Sequence, residues 1–303
     1  MTVSQVEAPN SVVPAPSEPI DLSVVIVSWN TRALLSDCLN SLYNGGMDGV
    51  GACEVHVVDN ASEDDSSAVV RRDFPQVRLE QNRANRGFAR ANNQVLEIAT
   101  GRFLLLLNSD TIVPPGALAI LIAEMMRHPD AAVCSPLLTN EDGSPQFCWA
   151  RFPGVRSEWT GALDLGQSPY PLAHYADPAR RARMEPFPVD WVGGACYLVR
   201  ASSAQRVGFL DEQFFMYGEE TDWCRRFRGI GGSTLLIPSV TVTHLGGGSS
   251  RRVPAETRER IYRSRLRLLR LLHGRWGALP ASAVATARYL LYRLKSRFAG
   301  TKR

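Results

Sequence analysis

The sequence predicts an α/β fold with a mixed, mostly parallel sheet flanked by helices, followed by a basic helical extension. Three observations carry this. Short β-branched or leucine-rich runs alternate with amphipathic segments from residue 22 to about 135, the alternation that builds parallel strands joined by helical crossovers. The first run, Leu22–Ser28 (LSVVIVS), is apolar at nearly every position, as in a strand covered on both faces. Charge is also segregated. Residues 251–303 hold 15 Lys and Arg against Glu256 and Glu259, so this tail carries +13, and the chain total of +4 leaves −9 for residues 1–250.

The elements follow in order. Residues 1–20, with Pro9, Pro14, Pro16 and Pro19 among small and polar residues, are expected to form a disordered arm. They lack Lys and Arg and a continuous apolar core, so no secretory signal is expected there. After the first strand, residues 32–43 are periodic as a helix, with Asn30 or Thr31 as its cap. Residues 54–58 form a second strand. Ser62 and Asp65 resemble a capping box for a helix to about Arg72. Residues 77–80 form a third strand, 87–99 a helix and 103–107 a fourth strand. Pro114 and Pro115 open a helix to about His128, and 132–135 form a further strand. Residues 139–188 lose the pattern, with a turn at Asn140–Glu141–Asp142–Gly143. A strand over 189–199 is interrupted by Gly193–Gly194. Helices near 202–207 and 219–228 and short strands at 234–237 and 240–244 complete the body. The tail reads as two helices divided near residues 274–280.

Composition excludes several classes. The chain has 303 residues, 45% hydrophobic and 21% charged, ordinary for a globular protein with a sizeable core. Its six cysteines form no C-x-x-C pair, which argues against structural zinc and fits a reducing compartment. No uncharged apolar run approaches membrane-spanning length. Neither G-x-G-x-x-G nor a P-loop follows the first strand, where the sequence is SWNTRA.

Ligands of such sheets sit beyond the carboxyl ends of the strands. Three of those ends are polar: Ser28–Trp29–Asn30, Asp59–Asn60 and Asn108–Ser109–Asp110. Such residues are also ordinary turn formers, but three clusters would converge on one crevice. Without a glycine-rich phosphate loop, a carboxylate-held cation becomes the natural phosphate partner. Asp110 suits Mg²⁺ or Mn²⁺ shared with substrate phosphates. Glu219, Glu220 and Asp222 follow an aromatic turn. They read either as acids at a helix N-terminus or as a site containing a general base. His244 precedes Leu245 and three glycines, either as a strand-end histidine or as a metal ligand beside a mobile flap.

As a set, residues 24–30 (VVIVSWN), 57–62 (VVDNAS), 85–92 (NRGFARAN), 106–110 (LLNSD), 215–222 (FMYGEETD) and 244–249 (HLGGGS) resemble family 2 glycosyltransferases of the GT-A fold, a Rossmann-like nucleotide-binding architecture. The resemblance covers residues 22–250. Within the family the chain resembles bacterial rhamnosyltransferase-like enzymes of cell-wall and polysaccharide assembly. The division that follows is a catalytic domain over 21–250, with 21–135 on the nucleotide-sugar side and 136–250 on the acceptor side, and a basic amphipathic tail over 251–303.

The resemblance also implies roles. Asp59, with Asn60 beside it, meets the nucleotide base, and Ser28, Trp29 and Asn30 flank the nucleoside. Arg86 approaches the donor. The family's D-x-D falls on Asn108–Ser109–Asp110, so Asp110 is the metal ligand and Asn108 contacts ribose or sugar. The acidic pair falls on Glu219–Glu220, making Glu220 the base, with Glu219 and Asp222 in support. Arg226 faces the diphosphate or the acceptor. His244 is a second metal ligand, and Gly193, Gly194 and Ala195 floor the acceptor site. The activity implied is transfer of a sugar, rhamnose by the subfamily likeness, from a dTDP- or UDP-linked donor with inversion. The acceptor would be a hydroxyl of a cell-wall, polysaccharide or polyprenyl-diphosphate-linked glycan.

The tail interleaves Arg258, Arg263, Arg267 and Arg270 with Ile261, Leu266 and Leu269. That pattern fits a helix lying on an anionic membrane surface better than a span. A cytoplasmic, peripheral placement at the inner face of the membrane is expected. A hairpin packed on the catalytic domain with solvated arginines fits the same pattern. A nucleic acid is suggested by the tail charge alone and is not expected as a partner. Asparagine at position 108 leaves room for a catalytically silent nucleotide-sugar-binding or scaffold protein. A nucleotidylyltransferase would want a Gly- and Arg-rich loop that SWNTRA does not supply.

Overall fold

The computed structural model describes residues 20–160, 165, 167–246 and 254–300, with 254–257 and 294–300 as backbone alone. The expected arm before Ile20 and the glycine-serine stretch after Gly246 lie outside the described residues.

The first half is built from β1 (Leu22–Ser28), α1 (Arg32–Ser41), β2 (Cys53–Asp59), α2 (Ser66–Asp73), β3 (Arg78–Gln81), α3 (Phe88–Leu96) and β4 (Phe103–Asn108). Next come β5 (Thr111–Ile112), α4 (Ala117–Arg127), β6 (Ala131–Thr139), β7 (Pro145–Gln146) and β8 (Trp149–Ala150). Short helices α5 (Val155–Thr160) and α6 (Pro178–Arg181) precede β9 (Phe187–Val189), β10 (Trp191–Val192) and β11 (Cys196–Arg200). The chain closes with α7 (Ala201–Val207), α8 (Glu219–Gly229), β12 (Ser233–His244), α9 (Pro254–Gly277) and α10 (Leu279–Gly300).

The main sheet runs β3-β2-β1-β4-β11-β6-β12-β5. Strands β3, β2, β1 and β4 are parallel. β11 is antiparallel to both β4 and β6, and β6 is parallel to β12. One reversed strand therefore leaves β1, β2, β4, β6 and β12 all ending at the same edge. In β1 the side chains alternate between two buried layers. Leu22, Val24 and Ile26 meet Leu35 and Leu39 of α1, while Val25 packs with Ala91 and Val95 of α3. Burial on both faces is why the run shows no polar alternation.

Several boundaries differ from expectation. Helix α2 starts at Ser66 behind Asp65 in the left-handed region (φ 62°), so Ser62 does not cap it. The Ser62 hydroxyl instead accepts from the Asn30 N–H at 2.9 Å. Helix α4 starts behind Gly116 rather than at the prolines. The strand expected over 189–199 is split into three pieces, because the chain leaves the main sheet at β10 to pair with β8. The two strands expected near 234–244 are one, with a register shift between Ile237 and Thr241.

The tail is a hairpin broken where Gly274 turns left-handed (φ 70°). It has a small core of Leu269, Ala278, Ala281 and Ala285. Helix α9 also ties to the body. Arg267 pairs with Asp211 and lies over the Phe214 ring, and Arg265 pairs with Glu158 of α5. Among the described residues no helix is long and apolar enough to cross a membrane.

Candidate active site

At the shared carboxyl edge of the strands lies a cavity of about 390 Å³. Trp29 enters it from β1, Asn60 from β2, Asn108 and Asp110 from β4, and His244 from β12. Gly193, Gly194 and Ala195 line it, as do Glu219 and Glu220 at the start of α8. Ten of the sequence-predicted residues thus reach one cavity from distant parts of the chain.

The Asp110–His244 pair is assembled by sheet pairing. His244 stands in register with Thr111 of β5, and the Leu245 N–H bonds to the Asp110 carbonyl at 2.9 Å. His244 Nε2 lies 3.3 Å from Asp110 Oδ1. Gln146 sets the histidine's orientation. Its Nε2 donates to the His244 carbonyl at 2.6 Å, so its Oε1, 2.9 Å from His244 Nδ1, must accept from that nitrogen. In the neutral ring Nε2 then carries the lone pair and faces the cavity, where Asn108 Nδ2 lies at 3.4 Å. A lone pair and a carboxylate oxygen directed at one another are what a shared cation would relieve, and an outer partner on the other ring nitrogen is the usual companion of a ligating histidine. The residues present therefore fit a divalent ion held by two protein ligands and completed by substrate oxygens. Among the described residues no closed cluster of three His, Cys, Asp or Glu side chains occurs.

Asn60 organises the loop after β3. Its Oδ1 accepts from the Arg86 N–H at 2.9 Å and from Asn82 at 3.1 Å. Its Nδ2 donates to Asn85 Oδ1 at 3.0 Å and to the Gly87 carbonyl at 3.3 Å. Gly87 (φ 83°) must be glycine here, since a Cβ would fall 2.5 Å from the Phe215 carbonyl. That approach brings the loop bearing Met216 and Tyr217 against the Asn60 side of the cavity.

Glu220 is partly buried on the cavity wall, and its Oε2 accepts from the Gly218 N–H at 3.0 Å. Glu219 is 4% exposed, and its Oε2 is buried with no hydrogen-bond partner. Burial pushes the Glu219 carboxyl well above the usual carboxylate range, and the adjacent Glu220 charge pushes it further. Burial raises Glu220 as well, opposed by backbone N–H groups, Thr221 and the Arg265 guanidinium. A carboxyl with a raised affinity for protons, at a cavity wall, is suited to general base work.

Other predicted residues lie behind the cavity lining. The Ser28 hydroxyl bonds to Thr31, which bonds to Ser109, tying the ends of β1 and β4 at 2.9 Å each. Asn30 (φ 55°) accepts from the Glu63 N–H at 2.7 Å. Both oxygens of Asp59 are taken, one by the Ser62 N–H at 2.9 Å and the other by the Ser67 hydroxyl. Arg86 contributes its backbone to Asn60 and is not among the lining side chains.

Two expectations are corrected. Arg226 does not face the cavity. It pairs with Asp222 at 2.8 Å and donates to the carbonyls of Val207, Gly208 and Phe209. Asp222 also holds Arg225 and is 1% exposed. An i, i+3 and i, i+4 acid–arginine set on one helix face locks α8 to the end of α7, which leaves neither group for substrate.

Gln146, Asn85, Phe147 and Cys148 also line the cavity and had no assigned role. The turn at residues 140–143 was the available signal for Gln146. A hairpin across it pairs Gln146 with Leu138, next to the end of β6.

The profile of glycosyl transferase family 2 matches residues 23–188. The chain is 29% identical over 240 residues to the N-acetylglucosaminyl-diphospho-decaprenol L-rhamnosyltransferase of Mycobacterium tuberculosis, covering 75% of this chain and 77% of that protein. It is 25% identical over 212 residues to the low-salt glycan biosynthesis hexosyltransferase Agl10 of Haloferax volcanii, covering 69% and 62%. The mannosyltransferase PcManGT of Pyrobaculum calidifontis, solved with GDP-Man and Mn²⁺, superposes with a TM-score of 0.57 at 18% identity, over 94% of this chain and 73% of that one. S. aureus TarS 1–349, solved with UDP-GlcNAc, gives 0.52 at 18% identity, over 83% and 67%. The strand order, the cavity at the carboxyl edge and the profile match over more than half of the chain agree, and the chain belongs to glycosyl transferase family 2, as a glycosyltransferase of the GT-A fold.

Proposed function

We propose that this enzyme is a metal-dependent, inverting glycosyltransferase. It moves a sugar from a dTDP- or UDP-linked donor to a hydroxyl of a polyprenyl-diphosphate-linked or related cell-wall glycan. Rhamnose is the sugar favoured by the similarity to the mycobacterial rhamnosyltransferase. The observation that carries this reading is the meeting of Asp110 and His244 with Glu220 in one cavity.

Asp110 and His244 would hold the cation, Mg²⁺ or Mn²⁺, against the donor diphosphate. Such an ion offsets the charge that develops on the leaving group. Trp29 and Asn60 border the donor, and Asn108 reaches its ribose or sugar. Gly193, Gly194 and Ala195 leave space for the acceptor beside Glu220. The acceptor hydroxyl gives its proton to the Glu220 carboxylate as its oxygen bonds to the anomeric carbon. The bond from that carbon to the diphosphate breaks in the same displacement. Attack opposite the leaving group inverts the centre, and one carboxylate base suffices, unlike the carboxyl pair of glycoside hydrolases. Glu219 remains the buried acid behind it. The basic tail would keep the enzyme at the inner face of an anionic membrane, where lipid-linked acceptors reside.

A panel of nucleotide-sugars with Mn²⁺ or Mg²⁺ tests this, scored by melting temperature and donor hydrolysis, since ligands of the folded state raise it by mass action. Stabilisation by one dTDP- or UDP-sugar, lost in chelator, is expected. Equal stability with every donor would overturn the reading.

A further inference from the structure

A second cavity, of about 380 Å³, lies between α5, α9 and α10 and is lined by Arg258, Arg265 and Arg288 together with Tyr262, Tyr289 and Tyr292. We infer that it is an anion subsite for the diphosphate of a lipid-linked acceptor, with the tail hairpin supplying the cations. The inference rests on the proposed transfer to such an acceptor.

Two of the three cations are placed for a ligand rather than neutralised by the Glu158 carboxylate that also lines the pocket. Arg265 pairs with the buried Glu158. Arg288 Nη1 donates to the Glu158 backbone carbonyl at 2.8 Å, and Arg258 stacks on the Tyr292 ring at 4.2 Å. Among the described residues neither Arg258 nor Arg288 pairs with a carboxylate. Two uncompensated guanidinium groups match the two charges of a diphosphate diester, the anion that arginine forks bind best. Tyr262 and Tyr289 stack with ring centroids 4.2 Å apart, which gives the pocket a rigid wall.

The helices that form the pocket also expose apolar side chains. Trp159 of α5 is 76% exposed, and Ile261 of α9 and Leu290 and Leu291 of α10 are also exposed. Charge on helices that also expose apolar side chains suits a phosphate ester carried on a hydrocarbon stem better than a free anion. Helix α9, which lines the pocket, also reaches the loop beside the catalytic cavity from another of its faces. The Ser264 hydroxyl on α9 donates to the Met216 carbonyl at 3.1 Å, and Arg260 lies 3.9 Å over the Phe215 ring. Met216 lines the catalytic cavity. Arg265 is near enough for its charge to favour ionised Glu220. A diphosphate held there would present the attached sugar toward the base.

The test uses the full chain with farnesyl diphosphate, farnesol and phosphatidylglycerol vesicles as probes. Farnesyl diphosphate should bind more tightly than farnesol. The Arg258→Gln/Arg288→Gln variant should lose about tenfold or more in affinity for it, the scale of charge-assisted hydrogen bonds. An Arg270→Gln/Arg275→Gln variant, charge-matched and outside the pocket, should bind as wild type. Arg258→Gln alone carries the same test if the double variant melts early, because Arg258 is exposed. Wild-type affinity in the pocket variant, or equal loss in the control, overturns the inference. So does a loss confined to phosphatidylglycerol vesicles, which would assign the arginines to membrane headgroups. Stabilisation by a nucleotide-sugar with Mn²⁺ is measured on the same samples. Donor binding without any farnesyl diphosphate effect defeats this inference alone, whereas absence of donor binding in the wild type defeats the functional reading beneath it.

Discussion

At the end of β2 the Asn60 amide makes four hydrogen bonds, whereas at the start of α8 one oxygen of Glu219 is buried without a partner. The first region satisfies its polar groups and is thereby rigid, since the loop from Asn82 to Gly87 hangs on one asparagine. The second keeps two adjacent carboxyls in a poorly solvated corner. Burial raises the affinity of both for protons, and the Glu220 charge raises that of Glu219 further. The two regions are joined where the Phe88 N–H bonds to the Phe215 carbonyl at 2.7 Å.

The contrast can be broken from the donor side first. Asp110→Ala should abolish cation-dependent stabilisation by the nucleotide-sugar and leave no measurable transfer. Full activity in that variant, or in excess chelator, would remove Asp110 from the site. On the other side, Glu220→Gln should keep donor binding while kcat falls by about 10²-fold or more. Steady-state rates beside donor-induced melting shifts separate the two behaviours. In the wild type kcat/KM should rise with pH through a value above the ordinary glutamate range, because Glu220 must be ionised to accept the proton and its folded-state affinity for protons is raised. An acid limb at the ordinary glutamate value would contradict that environment.

A smaller effect is expected behind the metal pair. Gln146→Leu removes the group that orients His244 and should weaken cation affinity by roughly 10- to 100-fold. Mn²⁺ titration of the donor-induced shift would show it, and an unchanged midpoint would deny Gln146 that role. The smallest effect concerns stability. The folded state holds the Glu219 proton more tightly than the unfolded state does. Stability should therefore be greatest below the ordinary glutamate value and decline as pH rises from there through the raised one. Glu219→Gln should flatten that decline in urea titrations at several pH values. An unaltered pH profile would show that Glu219 is ionised without cost.

Much of the donor half was legible from local pattern. Leu22–Ser28 had to be a doubly covered strand, and the polar residues that end β1, β2 and β4 had to lie at one edge once the strands were parallel. Gln146 was not legible, because its role depends on a two-residue strand in a stretch with no periodicity. Arg226 was misplaced for a related reason. The resemblance put it before the diphosphate or the acceptor, but only packing showed that the carbonyls of Val207, Gly208 and Phe209 claim the guanidinium.

The sequence by itself determined the layered α/β fold, the polar strand ends and the charge of the tail, because side-chain period and composition are local properties of the chain. The tertiary structure decided which acids are buried, which arginines are already spent on carboxylates, and that the tail packs against α5 and the 211–218 loop while leaving Arg258 and Arg288 facing a pocket. The hydrogen bonds and ion pairs that tie the tail to the body join residues 48 or more positions apart. Desolvation and ion pairing depend on distances that no single stretch of sequence contains.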